Sequence, residues 1–89
     1  MILETDLDPV FLLKLNGYEN NNGNGWVRYV GKDRFHAKMT VDGKINIHFD
    51  QTIERNGKKI HRANHIFSMK RVPNEIKRIK TLSTKEGKR

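Results

Sequence analysis

The chain has no cysteine, only two prolines, and no apolar run longer than residues 10–13. The absence of thiols excludes disulfides, thiolate zinc sites and cysteine nucleophiles. Four consecutive apolar residues are far too few for a membrane span or a signal-peptide core, and the N-terminus is acidic rather than basic. We therefore expect a soluble, cytoplasmic protein without a membrane partner.

The composition is that of a small folded domain. The chain has 89 residues, of which 35% are hydrophobic and 31% are charged. The hydrophobic residues fall in periodic blocks, which is typical of a folded domain rather than a disordered chain. A chain of this length builds one domain with a small core. We predict a single α+β domain over residues 1–83 and a disordered basic tail over residues 84–89.

Negative charge is scarce in the C-terminal third. Residues 1–54 carry six lysines and arginines against eight acidic residues, whereas residues 55–89 carry twelve against two. The net charge of the whole chain is +8. Such an asymmetry is expected of a chain that binds a polyanion, most often nucleic acid. Lysines can also serve solubility alone or meet an acidic protein partner. Nucleic acid is the partner that the asymmetry favours.

Cap and turn signals place a short helix near each end of the chain. Acidic residues before Pro9 and an Asn-Gly pair after the apolar stretch predict a helix near residues 8–16. The polar Asn/Gly segment that follows predicts a loop. Pro73 precedes apolar residues at helical spacing, which predicts a second helix near residues 74–82, packed on one face of a sheet. That apolar stripe consists of Ile76, Ile79 and Leu82.

The segments between the helices have the pattern of β-strands. Residues 26–30 are aromatic and β-branched and lie between glycines, which predicts a strand. Residues 34–40 and 44–50 alternate strictly between apolar and polar side chains, as half-buried antiparallel strands do. A further strand follows the Asn56-Gly57 turn signal. The sequence therefore predicts a three- or four-stranded antiparallel meander.

The turns fix which residues lie opposite one another. A two-residue turn at Asp42-Gly43 would mix apolar and polar side chains on each face. A three-residue loop over residues 41–43, with Gly43 in the left-handed conformation, sorts them instead. Asn56-Gly57 predicts a two-residue type I′ turn. With both registers, one face of the sheet carries Arg34, His36, Lys38, His48, Asp50, Lys59, His61 and His65.

Three imidazoles lie abreast on this predicted polar face, those of His36, His48 and His65, with neighbouring Cβ atoms about 5 Å apart. Two imidazoles can act as acid and base on a ribose hydroxyl and its phosphodiester while a cation balances the phosphate charge. The pattern indicates a metal-independent ribonuclease as one hypothesis. His48 is its central candidate, and Arg34 and Asp50 are further candidate catalytic residues.

The same row has two other interpretations. Three imidazoles could hold zinc with one open position, as catalytic zinc sites do. The neighbouring cations would repel a dication, and no tight ligand-spacing motif is present, so we predict neither a metal nor another cofactor. Alternatively, the histidines are outward residues of a sheet face that is solvated or touches nucleic acid.

A second set of candidates consists of cations that can contact phosphates. They are Lys38, Lys58, Lys59, Arg62, Lys70, Arg71, Lys77, Arg78 and Lys80. RNA is slightly favoured over DNA, because a sheet with polar and aromatic residues suits unpaired bases and no groove-reading helix motif is evident. The sequence thus predicts a small basic nucleic-acid-binding protein of the kind encoded by mobile elements or toxin systems. A ribonuclease and a basic protein-binding inhibitor or adaptor are the alternatives.

The order of these features resembles that of the HicA-type toxins, small RNA-cleaving proteins of a double-stranded-RNA-binding-like fold. The resemblance rests on four features: Leu12-Leu13-Lys14 leading to Asn16-Gly17-Tyr18, Val27-Arg28 before Gly31, Asp42-Gly43-Lys44, and a closing helix. Those toxins resemble one another in a histidine directly after a Gly-Ser pair. Here Gly31 is followed by Lys32, and the first histidine is at position 36. A long second hairpin is a further departure, so the resemblance does not assign the chain to that family.

Overall fold

The computed structural model of the chain describes the backbone of residues 1–87 and the side chains of residues 1–82. The elements in chain order are β1 (Ile2–Leu3), α1 (Pro9–Leu15), β2 (Glu19–Asn20), β3 (Trp26–Val30), β4 (Asp33–Met39), β5 (Ile45–Arg55), β6 (Lys58–Ala63) and α2 (His65–Gly87). The α+β class, the antiparallel sheet and the C-terminal helix agree with the prediction. The sheet has six strands rather than three or four, because β1 and β2 are two-residue strands too short to show an alternating pattern.

The N-terminal helix lies where its cap signals predict. The Asp8 side chain accepts a hydrogen bond from the Phe11 N–H at 3.0 Å, which satisfies one of the free donors of the first turn. The helix ends before Asn16, and Gly17 follows with a φ of +87°, a conformation that favours glycine at a helix C-terminus. Leu12 and Leu13 are fully buried, so α1 contributes one apolar edge to the core.

The four longer strands, β3 to β6, form the predicted meander. β2 pairs with β3, β1 pairs with the start of β5, and β6 pairs with the rest of β5. Both predicted registers are confirmed: His36 lies opposite His48, and Asp50 lies opposite Ala63. Gly43 has a φ of +82°, and the Asn56-Gly57 turn has positive φ at both residues, as a type I′ turn requires.

The core lies on the apolar face of the sheet. Phe35, Ala37, Ile47 and Phe49 project from the central strands and are at most 6% exposed. Both helices contribute buried residues to this same cluster, which places them on the apolar face. The opposite face carries the polar side chains of β4 and β5, as the alternation predicts.

The C-terminal helix starts earlier than predicted, at His65 rather than near residue 74. Asn64 caps it, because its side-chain oxygen accepts a hydrogen bond from the Phe67 N–H at 2.9 Å. Pro73, which the sequence pattern placed at the helix start, lies inside the helix. The prediction that places His65 on the strand after Asn56-Gly57 is therefore wrong, since the strand ends at Ala63 and the N-cap at residue 64 follows it.

Two polar residues on the buried face of α2 conceal its periodicity. Ser68 and Glu75 are buried alongside Val72 and Ile79, and this spacing is that of one helical face. The Ser68 hydroxyl accepts a hydrogen bond from the Phe49 N–H at 2.8 Å. If β6 were longer, one of its backbone carbonyls would accept this bond instead. The hydrophobic pattern shows only the second half of the helix because these contacts are polar.

The predicted C-terminal tail lies only partly within the described residues. α2 is helical to Gly87, and residues 88–89 of the predicted tail lie outside the described residues. The division into a domain of residues 1–83 and a tail of residues 84–89 stays a prediction. None of the helices described is long and apolar enough to cross a membrane.

A buried carboxylate joins α2 to the sheet and to the segment after α1. Glu75 is 3% exposed and accepts hydrogen bonds from the Tyr18 hydroxyl at 2.6 Å, from Arg28 at 2.7 Å and 2.8 Å, and from Arg78. Burial alone would raise the pKa of Glu75, but the hydrogen bonds from Arg78, Arg28 and Tyr18 outweigh it and lower the pKa to about 2. Arg78 also donates to the Asn16 carbonyl at 2.9 Å.

This network predicts a specific sensitivity to acid. Because the pKa of Glu75 is lowered from 4.5 to about 2 in the folded protein, its stabilisation is present above pH 4.5 and is lost as the pH falls toward 2. We expect this group to account for a loss of about 3 kcal/mol in the free energy of unfolding over that interval. Urea unfolding of Glu75→Gln should show a shallower pH dependence. The exposed Glu54→Gln is the control, and a Glu75→Gln profile parallel to the wild type would contradict the prediction.

Candidate functional site

The confirmed register brings four ionisable side chains together on the polar face of β4 and β5. Arg34 lies opposite Asp50, and His36 lies opposite His48. The two imidazole rings have centroids 4.8 Å apart, and the His36 Nδ1 and His48 Nε2 atoms are separated by 3.2 Å. We call these four residues the histidine cluster.

His36 is a buried member of the histidine cluster, as is Asp50. His36 is 5% exposed, and its Nε2 lies 2.8 Å from the Asn24 carbonyl oxygen. A carbonyl can only accept, so the Nε2 atom carries the proton and the Nδ1 lone pair faces His48. Burial lowers the pKa of His36 below 6.5. The imidazole is therefore neutral at pH 7 in this tautomer.

Asp50 holds the other two members of the histidine cluster. Its Oδ1 atom lies 2.9 Å from His48 Nε2, and its Oδ2 atom accepts a hydrogen bond from Arg34 Nε at 2.9 Å. Burial alone would raise the pKa of Asp50, but the hydrogen bonds from His48 and Arg34 outweigh it, and the pKa lies below its usual value. The carboxylate is ionised and fixes the orientation of the His48 ring.

The Asn/Gly loop between β2 and β3 positions His36 rather than serving only as a connector. Asn24 supplies the carbonyl described above, and Gly25 follows it with a φ of +78°. A Cβ atom on Gly25 would lie 2.8 Å from both the Ala37 carbonyl oxygen and His36 Nε2. Only glycine allows this loop to lie so close to the imidazole.

This contact predicts that Gly25→Ala is more damaging than a matched substitution two residues earlier. Gly23 has a similar φ of +82°, and a Cβ atom added there would meet no other described part of the chain within 4 Å, so Gly23→Ala should cost only about 1 kcal/mol of backbone strain. Gly25→Ala adds a steric clash, and we expect an additional loss of about 1–3 kcal/mol. Chemical unfolding measures both variants. Equal losses would show that the loop does not press on His36.

His61 lies on β6 and continues the polar face beyond β5. Its Nδ1 lies 3.0 Å from the Thr52 hydroxyl oxygen, and that hydroxyl donates to the Lys32 carbonyl, so His61 is the donor to Thr52. Burial, and then the charge of Arg34, lower the pKa of His61 below 6.5. The Tyr29 ring packs edge-on to His61, with centroids 6.1 Å apart. Tyr29 lies opposite Arg34 in the sheet, so Tyr29 and His61 lie beside the histidine cluster.

The predicted row of three imidazoles does not form. β6 ends at Ala63, opposite Asp50, and His65 is the exposed first residue of α2. The expected pairing of His65 with His48 fails because Asn64 starts the helix before the strand reaches that position. Of the candidate catalytic residues, the structure brings together Arg34, His36, His48 and Asp50.

The candidate phosphate contacts lie on several surfaces. Every residue of β6 is exposed, and Lys38 is exposed on the polar face. Arg71 lies over the rings of Phe49 and Phe67, with its guanidinium carbon 4.8 Å and 5.0 Å from their centroids. Arg78 is bound to Glu75 and therefore supports the fold. The predicted cations that remain exposed are Lys38, Lys58, Lys59, Arg62, Lys70, Arg71, Lys77 and Lys80.

An open cleft between β3 and α2 is lined by several of the basic side chains. It has a volume of about 320 Å³, and Lys70 and Arg71 line it together with Arg28 and Arg78. Because Glu75 engages both Arg28 and Arg78, the cleft offers Lys70 and Arg71 to an anion.

Sequence reasoning missed the parts of the site that act through the backbone and through a hydroxyl. Asn24 contributes a carbonyl, Gly25 contributes the absence of a side chain, and Thr52 orients His61. A glycine directly before a predicted strand was the one available signal, because such a glycine often marks a close approach of another group.

Comparison with protein-family models, curated proteins and solved structures found no match to this chain. The layout shared with the HicA-type toxins therefore remains a resemblance.

Proposed function

We propose that this protein binds single-stranded nucleic acid, with RNA favoured over DNA. One observation carries the proposal: the only acidic residue among residues 55–82 is Glu75, and it is buried and paired with two arginines. The exposed side chains of β6 and of α2 up to residue 82 consequently bring lysine, arginine and histidine, and no carboxylate, to the surface. Such a surface attracts a polyanion through its phosphates.

The β6 strand is well placed for phosphate contacts. Lys58, Lys59 and Arg62 are all exposed, and the alternation of the strand directs Lys59 to the polar face and the other two to the opposite face. A flexible single strand can follow such an edge, because its backbone is not held in a duplex.

The polar face supports the choice of a single strand. Tyr29 is 53% exposed, and aromatic rings on open sheet faces stack on unpaired bases. Lys38 is exposed on the same face of β4 and can balance a nearby phosphate. Both helices pack on the other side of the sheet, so neither helix blocks this face.

The phosphate contacts predict a salt dependence that responds to substitution. For single strands the slope of log K against log salt is about −0.7 per phosphate neutralised. Replacing Lys58, Lys59 and Arg62 by glutamine should make the slope shallower by up to about 2 and weaken binding at low salt. Fluorescence anisotropy with labelled single-stranded RNA, from about 50 to about 300 mM NaCl, measures the slope.

The control for this experiment is Lys14→Gln on α1, which changes an exposed lysine outside the proposed surface. We expect it to leave the slope unchanged. An unaltered slope in the triple variant, or salt-independent binding by the wild type, would refute the proposal.

Tyr29 tests the stacking contribution separately. Loss of a base–aromatic stack costs about 1–3 kcal/mol, so Tyr29→Ala should weaken single-stranded RNA binding by about 5- to 150-fold. Tyr29→Phe keeps the ring and should bind within about twofold of the wild type. Tyr29→Ala affinity equal to that of the wild type would contradict a role for this face.

RNA cleavage is the second candidate function, and the hydrogen bond between Asp50 and His48 favours it. That bond orients an imidazole on the face where RNA is proposed to lie, as a general base requires. RNA from the binding titrations, run in EDTA, should be recovered intact. Cleavage that His48→Ala abolishes would assign the function to this second candidate.

A further inference from the structure

We infer that His36, His48 and Asp50 form a binding site for a divalent transition metal ion of the zinc type. Each residue offers one ligand atom, and these three atoms lie within 4.8 Å of one another. The inference goes beyond nucleic-acid binding and does not depend on it. The residues differ from the three histidines that the sequence pattern suggested as a zinc site, since Asp50 takes the place of His65.

Two of the three separations between donor atoms are close to those of a metal site. His36 Nδ1 and His48 Nε2 are 3.2 Å apart, and His48 Nε2 and Asp50 Oδ1 are 2.9 Å apart. Two ligands at about 2.0 Å from a tetrahedral zinc ion lie about 3.3 Å from each other. Binding therefore requires only small side-chain movements at these two pairs.

Other groups already orient the ligands. The Asn24 carbonyl accepts the His36 Nε2 proton, which leaves the Nδ1 lone pair for the ion, and such a backbone hydrogen bond is typical of metal-binding histidines. Arg34 holds the Asp50 Oδ2 atom and leaves Oδ1 toward the cluster. His48 coordinates through Nε2 once its proton moves to Nδ1, a tautomer that neutral imidazole adopts readily.

The donor set selects the class of ion. Two imidazole nitrogens and one carboxylate oxygen suit zinc, cobalt and their neighbours, whereas calcium and magnesium require oxygen ligands. Three protein ligands leave a position for water or a phosphate oxygen. The positive charge of Arg34 opposes the ion, so the site should bind more weakly than one without that charge.

The test uses the full chain without a histidine tag. Calorimetric titration with ZnCl₂ should give one ion per chain, and titration with CoCl₂ should produce the visible absorption of a low-coordinate cobalt site. The chain has no cysteine, so thiolate ligands cannot contribute to that spectrum. His48→Ala should weaken zinc binding at least about tenfold. The His48 side chain is 35% exposed, and circular dichroism verifies that the variant folds.

Two further variants make the result specific. His65→Ala removes an exposed histidine outside the site and should bind zinc like the wild type. Arg34→Gln removes the opposing charge while its amide can still donate to Asp50, and it should bind zinc more tightly, which mere loss of structure would not produce. Absence of zinc binding by the wild type, or equal losses in His48→Ala and His65→Ala, would overturn the inference.

Discussion

The fold and the candidate site both depend on the alternation of side chains along β5. Successive residues of this strand point to opposite faces, so Ile47 and Phe49 enter the core while His48 and Asp50 project on the other side. A slip of one residue against β4 would exchange the two sets and place the ionisable groups in the apolar core. The burial of the apolar side chains thus also fixes the positions of the histidine cluster. Packing on the apolar face thus positions the side chains of the polar face.

Three different segments form hydrogen bonds with the edge of β5 that lies away from β4. The Met1 carbonyl accepts from the Ile47 N–H at 2.8 Å, Asn64 donates to the Phe49 carbonyl at 3.0 Å, and β6 pairs from Asp50 onward. The start of α2 therefore takes the place of further strand residues. The residue before the helix donates a hydrogen bond to a β5 carbonyl, and the helix that follows packs on the apolar face of the sheet. Glu75 then fixes the helix against β3 through Arg28.

The sequence pattern predicted the parts of the structure that rest on local chemistry. The positive φ at Gly43 and at Asn56-Gly57 was predicted from turn preferences, and the alternation of β4 and β5 then determined both registers. From these came the positions of the four residues of the histidine cluster. The short strands β1 and β2 were missed because main-chain pairing of two residues leaves no side-chain pattern. The early start of α2 was missed because its buried face includes a serine and a glutamate whose partners are distant in sequence.

The edge position of β6 has a consequence for how copies of this protein meet. β6 pairs with β5 alone among the described strands, so its outer backbone groups face outward, where the edge of a second molecule would pair. Such pairing would bring Lys58, Lys59 and Arg62 close to the cations of another copy, and like charges at that distance oppose the pairing of edges. The three cations that are proposed to contact phosphates thus also disfavour the association of two copies through this edge.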